Sequence, residues 1–187
     1  MSLLRFISRP RHFEKKLEES RPRLCRLAYS WTRNRALADD LVQDTLAKAL
    51  DRHAQLQDPE ALHAWLCSIL AHTWHDHLRN RRDTVDIDAV EERELTADCC
   101  PEADCLQNEI VLRVREAVGR LPEGQREVVT LVDLEEFSYA EVATILEIPI
   151  GTVMSRLSRA RTALREALKD QQQPAASATV HKLKVGS

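Results

Sequence analysis

The chain has 187 residues, 43% apolar, 30% charged and only 4% aromatic, with four glycines and a net charge of −3. That length holds one domain or two small ones, and no apolar run reaches the ~18 residues needed to cross a bilayer. Met1 to Phe13 is basic with too few apolar residues for a signal-peptide core. The expectation is therefore a cytoplasmic protein, whose five cysteines serve as thiols or metal ligands and not as structural disulfides.

Ala, Leu, Arg and Glu dominate, which predicts an all-α chain. A first helix is expected from His12 to Ser20, and a second from Pro22, in its first turn, to Arg33. A third spans Leu37 to Arg52. Asp58-Pro59-Glu60 reads as an N-cap with proline at the first helical position and acid in the first turn, opening a helix that continues to Arg82. Residues 83–106 are acidic, contain Pro101 and lack helical periodicity, so they read as a linker. Periodicity returns with Ile110, Val114, Val118 and Leu121, and Pro122 starts a helix through Leu134. Two helices follow, 138–146 and 150–169, and the Gln/Ala/Ser-rich end 171–187 reads as a disordered tail. The layout is two small helical domains, 10–83 and 107–170, joined by a flexible acidic linker, 84–106. The C-terminal one is a four-helix domain.

Charge is distributed in blocks. Residues 1–37 carry ten basic and three acidic side chains, 38–62 two and six, 84–106 one and eight, and 150–169 five and one. The blocks alternate at +7, −4, −7 and +4, a pattern that suits separate surfaces for separate partners.

The sharpest local signal is at 138–166. Ser138 and Glu141 stand at the spacing of a capping box, in which each side chain satisfies an orphan amide. Val142, Ala143 and Leu146 give that short helix one apolar face. After a turn at Glu147-Ile148-Pro149, Val153, Leu157, Ala160 and Leu164 form one stripe of the next helix. Its other side carries Thr152, Ser155, Arg156, Ser158, Arg159 and Arg161. Short hydroxyls allow close approach to DNA, and arginines fork onto guanine or phosphate. An amphipathic hairpin with a solvated basic face is the plainer alternative. The coincidence of cap, turn, stripe and hydroxyl/arginine face favours a helix-turn-helix whose second helix enters the major groove.

Leu121 to Val128, then Ser138 to Ala143 and Pro149 to Arg161, resemble the promoter −35-binding domain of extracytoplasmic-function RNA polymerase sigma factors. Asp40-Leu41-Val42-Gln43-Asp44-Thr45 resembles that family's polymerase-binding helix, and Ala64-Trp65-Leu66 through Leu78-Arg79 its −10-reading helix. The resemblance spans residues 10–170. It implies region 2 at 10–83 and region 4 at 107–170. It also implies binding to the clamp helices of the largest polymerase subunit and the flap of the second largest, promoter DNA at two elements, and an anti-sigma factor as regulator. Two positions depart from the family. Glu147 stands where a turn glycine is usual, at a cost of ~1–2 kcal/mol if the residue is left-handed, and Met154 stands where many members place Lys or Arg.

The two remaining surfaces have a physical reading beside the resemblance. Leu41, Val42, Leu46, Ala49 and Leu50 face a core, while Asp40, Gln43, Asp44 and Asp51 lie on another side. Such like charges repel slightly along a helix, and a basic partner would relieve that. Asp40, Leu41, Gln43 and Asp44 are the polymerase-binding candidates. In the helix 60–82, Leu62, Leu66, Leu70, Trp74 and Leu78 recur every fourth residue. Ser68, His72, His75, Arg79 and Arg82 form a second, polar-to-basic face about 21 Å long. By the resemblance that face, with Thr73, captures a flipped −10 base, and His72 stands where members often carry Asn. Trp74 reads as core.

His72, His75 and Asp76 have helical ligand spacing but lack a third and fourth partner element. Cys25 and Cys67 read as small packing residues. Cys99, Cys100 and Cys105 cluster in the acidic stretch, where a thiol-based metal or redox sensor is the alternative to incidental cysteines. No nucleophile, base and acid stand at a recognisable spacing, so neither enzymatic activity nor a cofactor is expected. The function expected is an alternative sigma factor, monomeric when free, that brings core polymerase to −35/−10 promoters and helps to melt the −10 element. The alternative is a stand-alone helix-turn-helix regulator.

Overall fold

The computed structural model describes residues 11–56, 58–84 and 105–170. Helices α1 (Arg11–Thr32), α2 (Arg35–Asp51) and α3 (Leu62–Thr84) form one half, and α4 (Cys105–Gly119), α5 (Glu123–Asp133), α6 (Tyr139–Ile145) and α7 (Ile150–Asp170) form the other. No strand occurs among the described residues. Most of the stretch read as a linker, 85–104, and the tail from 171 lie outside the described residues.

The expected pair of helices before Arg33 is a single helix, α1, with Pro22 in its interior. Proline removes one backbone donor and crowds the preceding turn, which usually breaks a helix. Here Leu17 lies before it and Leu24, Leu27, Ala28 and Trp31 after it, all at most 3% exposed. One continuous buried stripe crosses the proline, and its burial outweighs the local penalty. The helix ends at Arg33, whose φ is +56° and whose amide donates to Tyr29 O at 2.9 Å. Asn34 then caps α2, accepting from Leu37 N at 3.0 Å.

The start of α3 follows the proline and cap reading. Asp58 accepts from Glu60 N at 2.9 Å, and Pro59–Ala61 forms a 3-10 turn before the α-helix begins at Leu62. The stripe Leu62, Leu66, Leu70 and Trp74, with Ile69, is buried, and Leu78 is partly so. The stripe expected for α4 is only partly realised. Leu121, just beyond the helix, and Ala117 are buried, whereas Val114 is exposed along with Val111 and Leu112. The contact side of α4 is therefore rotated from the one that valine periodicity suggests.

The two halves pack against each other, and their buried residues form one continuous cluster. Trp31 Nε1 donates to Thr130 Oγ1 across the seam at 2.8 Å, with both side chains buried. Arg126 of α5 donates to Trp31 O at 2.5 Å, and to Gly119 O and Leu121 O at 2.9 Å each. Arg33 donates to Arg115 O at 2.6 Å. Carbonyls at the ends of α1 and α4 thus find donors from arginines, as helix C-termini require.

The turn between α6 and α7 is a Schellman closure. Ile148 N donates to Ala143 O at 3.0 Å and Glu147 N to Thr144 O at 3.3 Å, with Glu147 at φ +53°. The left-handed residue expected there is present, and it is not glycine. Glu147→Gly should raise stability by roughly 0.5–1 kcal/mol, the relieved strain less the entropy glycine adds to the unfolded chain. A thermal melt should show a gain of about 2 °C for a chain of this size. Trp31→Phe should cost about 1 kcal/mol or more through the lost bond to Thr130 and the vacated ring volume, and should lower the melt accordingly.

Candidate nucleic-acid interface

The capping box at the start of α6 is complete. Glu141 Oε2 accepts from Ser138 N at 2.8 Å and Ser138 Oγ at 2.7 Å, and Ser138 Oγ accepts from Glu141 N at 3.3 Å. The Ser138 hydroxyl and amide hold the Glu141 carboxyl below its usual range. With the first turn of α6 fixed and Glu147 reversing the chain, Pro149 O accepts from Thr152 N at 2.8 Å and Val153 N at 3.2 Å. These bonds open α7. Val153, Leu157 and Ala160 are buried against α5 and α6, which turns the opposite side of α7 to solvent.

On that side Ser155, Ser158 and Arg159 are exposed. Thr152 and Arg156 are half-buried. Arg161 is exposed but forks onto Asp133 at the end of α5, at 2.5 and 3.3 Å, so it also ties α7 to α5. The Arg156 guanidinium lies over Gly124, where a Cβ would come within 2.7 Å of it. Glycine at that position lets the arginine lie against α5. Ile150 and Met154 stand out as exposed apolar side chains at helical spacing, and Met154 lines a shallow groove with Tyr139, Ser158 and Arg161.

The stripe on α3 is less uniform than its spacing suggests. Ser68 is half-buried and returns its hydroxyl to Trp65 O at 2.8 Å. Thr73 is 5% exposed, donates to Ile69 O and accepts from Lys48 Nζ at 3.0 Å. It sits in the packing between α2 and α3. His72 is exposed and lies 3.4 Å from Glu147 Oε1. His75 Nε2 meets Glu127 Oε1 at 3.0 Å. Arg79 is exposed near Asp76, and the Arg82 side chain lies outside the described residues. The two helix faces singled out in the sequence are thus brought close together, His72 to the turn before α7 and His75 toward α5 and Arg156.

On α2, Asp40, Gln43 and Asp44 are exposed on one side, whereas Leu41 is 3% exposed and belongs to the core. α2 packs on α1 and α3. Cys67 is fully buried, and burial pushes its thiol well above the ordinary range. Cys25 is half-buried and raised for the same reason. Both fit the packing role. Cys99 and Cys100, and the side chain of Cys105, lie outside the described residues. No described cluster of His, Cys, Asp or Glu has the form of a metal site, and no described helix is long and apolar enough to cross a membrane.

Sequence reasoning missed the residues that hold the seam: Arg23, His63, Arg126, Glu127, Thr130 and Glu135. Glu135 Oε2 accepts from Arg23 Nε and lies 2.8 Å from His63 Nε2. The His63 ring stacks on Phe137 with centroids 5.3 Å apart. These partners are 72 to 112 residues apart, so no local pattern could pair them.

Comparison with known proteins agrees with this geometry. The Sigma-70 region 2 model matches residues 17–84, and the Sigma-70 region 4 model matches residues 112–164. The chain is 36% identical to the ECF RNA polymerase sigma factor EcfG of Rhodopseudomonas palustris, over 79% of this chain and 80% of that one. It is 33% identical to the RNA polymerase sigma-H factor of Pseudomonas aeruginosa, over 71% and 73%. Among solved structures, the sigma factor RpoE from Bartonella quintana, in complex with the anti-sigma factor NepR, superposes with a TM-score of 0.69 at 32% identity. That match covers 86% of this chain and 98% of that one. CnrH, in complex with the cytosolic domain of CnrY, gives 0.61 at 26% identity, covering 91% and 95%. With both regions matched in order and the relatives covered over most of their length, the chain belongs to the ECF sigma factors of the sigma-70 superfamily, alternative sigma factors that direct RNA polymerase to promoters.

Proposed function

We propose that α7 reads the −35 element, that the exposed side of α3 engages the −10 element and helps to melt it, and that Asp40, Gln43 and Asp44 of α2 meet the polymerase clamp helices. The observation that carries the −35 assignment is the α6–α7 unit. A closed capping box and a Schellman turn aim a helix whose outer side is Ser155, Ser158 and Arg159. Such a helix fits the major groove, with hydroxyls near the backbone and arginine on a guanine edge or phosphate. Arg161, already committed to Asp133, acts mainly to fix the angle of α7, and Arg156 is placed to contribute where α7 meets α5.

For α3, exposed His72, half-exposed His75 and exposed Arg79 supply donors and a cation on one side. Thr73 supports this surface from beneath through Lys48. Unstacking a base costs a few kcal/mol, so the polymerase must share that cost. Asp40, Gln43 and Asp44 of α2 are exposed while α2 packs on α1 and α3, which suits contact with a basic polymerase surface. Because RpoE was solved in complex with the anti-sigma factor NepR, a protein anti-sigma factor is the regulator proposed here. The chain acts as a monomer inside the cell and leaves catalysis to the polymerase.

Run-off transcription with core enzyme on a promoter recovered by start-site mapping tests the assignment. Wild-type chain should support initiation, and DNA binding without initiation would refute a sigma role. Arg159→Ala should weaken −35-dependent binding roughly 5- to 150-fold, the worth of one good base contact at ~1–3 kcal/mol. Asp40→Asn with Asp44→Asn should weaken association with core enzyme while leaving the thermal melt unchanged.

A further inference from the structure

Two carboxylates on the region 4 side of the seam are almost buried. The Glu127 side chain is 5% exposed and that of Glu135 is 7% exposed. A carboxylate buried to that extent needs a partner to offset desolvation. Their three partners come from the other half. His75 Nε2 stands 3.0 Å from Glu127 Oε1. Arg23 Nε and His63 Nε2 share Glu135 Oε2. A third, exposed contact joins His72 to Glu147 at 3.4 Å, and such pairs are weak.

We infer that the α3–α5 seam is a proton-dependent clasp: protonated His75, gripping Glu127, favours the closed arrangement, and loss of that proton frees the His72–His75 side of α3. The clasp stands on the seam geometry. Its meaning for promoter opening rests on the reading of α3 given above.

The groups around His75 support the sign. From α5 it faces Glu127 and Glu123, and from α7 it faces Arg156. On its own helix, Asp76 and Arg79 lie 3.7 Å apart as a pair. The hydrogen bond that His75 donates to Glu127 is the largest influence and raises the His75 pKa, against burial and Arg156, which lower it. A raised pKa in the closed state means that the closed state binds the proton more tightly. The contribution is fully present below the ordinary histidine value of about 6.5 and is lost as pH rises through the raised value. The closed-to-open ratio changes about tenfold for each unit by which His75 differs between the two states. The α2 side stays outside the clasp, so polymerase can dock there while the halves remain closed.

The test uses the full chain alone. Small-angle scattering from about pH 5.5 to about pH 9 should show the radius of gyration growing as pH rises past the ordinary histidine value. In parallel, histidine NMR should give His75 a pKa above that value. Glu127→Gln should return His75 toward the ordinary value and remove the pH dependence of the radius, with helical circular dichroism confirming that the variant is folded. If that variant fails to fold, His75→Gln in the same assay serves instead, and a pH dependence equal to wild type would overturn the clasp. A wild-type radius independent of pH, or a His75 pKa at or below the ordinary value, would overturn it without any variant. None of these readouts needs polymerase or promoter, so a failed transcription assay would count against the functional assignment and leave the clasp standing.

Discussion

Trp31 closes α1 onto α5 through a buried hydrogen bond to Thr130, while Arg126 reaches back to the Trp31 carbonyl. Placement of the C-terminal half depends on this knot. It sets α5 against α1, and α5 in turn carries Glu127, Asp133 and the floor beneath Arg156. Indole donors and guanidinium groups are costly to bury without partners. In the closed arrangement the geometry therefore tolerates little sliding between the halves. With α5 set in this way, α3 packs beside α6 of the helix-turn-helix.

The consequence is an asymmetry between surfaces. The acidic side of α2 remains open, whereas the polar side of α3 meets the other half at His63, His72 and His75. The surface proposed to meet polymerase and the surface proposed to meet melted DNA are thus presented under different conditions. The two buried carboxylates of the seam find their partners in the other half, Glu127 at His75 and Glu135 at Arg23 and His63.

Legibility from sequence follows the range of the interactions. The α6–α7 unit could be read closely because its determinants are local: a serine and a glutamate three apart, a short turn, and a stripe of Val153, Leu157 and Ala160. The α3 stripe was legible for the same reason. Pro22 misled because its penalty is local while the burial of Leu17, Leu24 and Trp31 is tertiary. Val114 misled because periodicity shows that a face exists, not which neighbour covers it. Glu127 and Glu135 look like solvated acids in the sequence. Their burial depends on histidines and an arginine from the other half of the chain, which only the fold brings near.

The chain runs without interruption from Thr84, at the end of α3, to Cys105, at the start of α4, through the twenty residues 85–104. Because both halves belong to one chain, each meets the other intramolecularly, at an effective concentration that does not depend on how dilute the protein is. Contacts far too weak to hold two separate proteins together can then keep one protein closed. Any partner that opens the seam competes against an intramolecular rival that is never diluted, and release of the partner lets the halves find each other again.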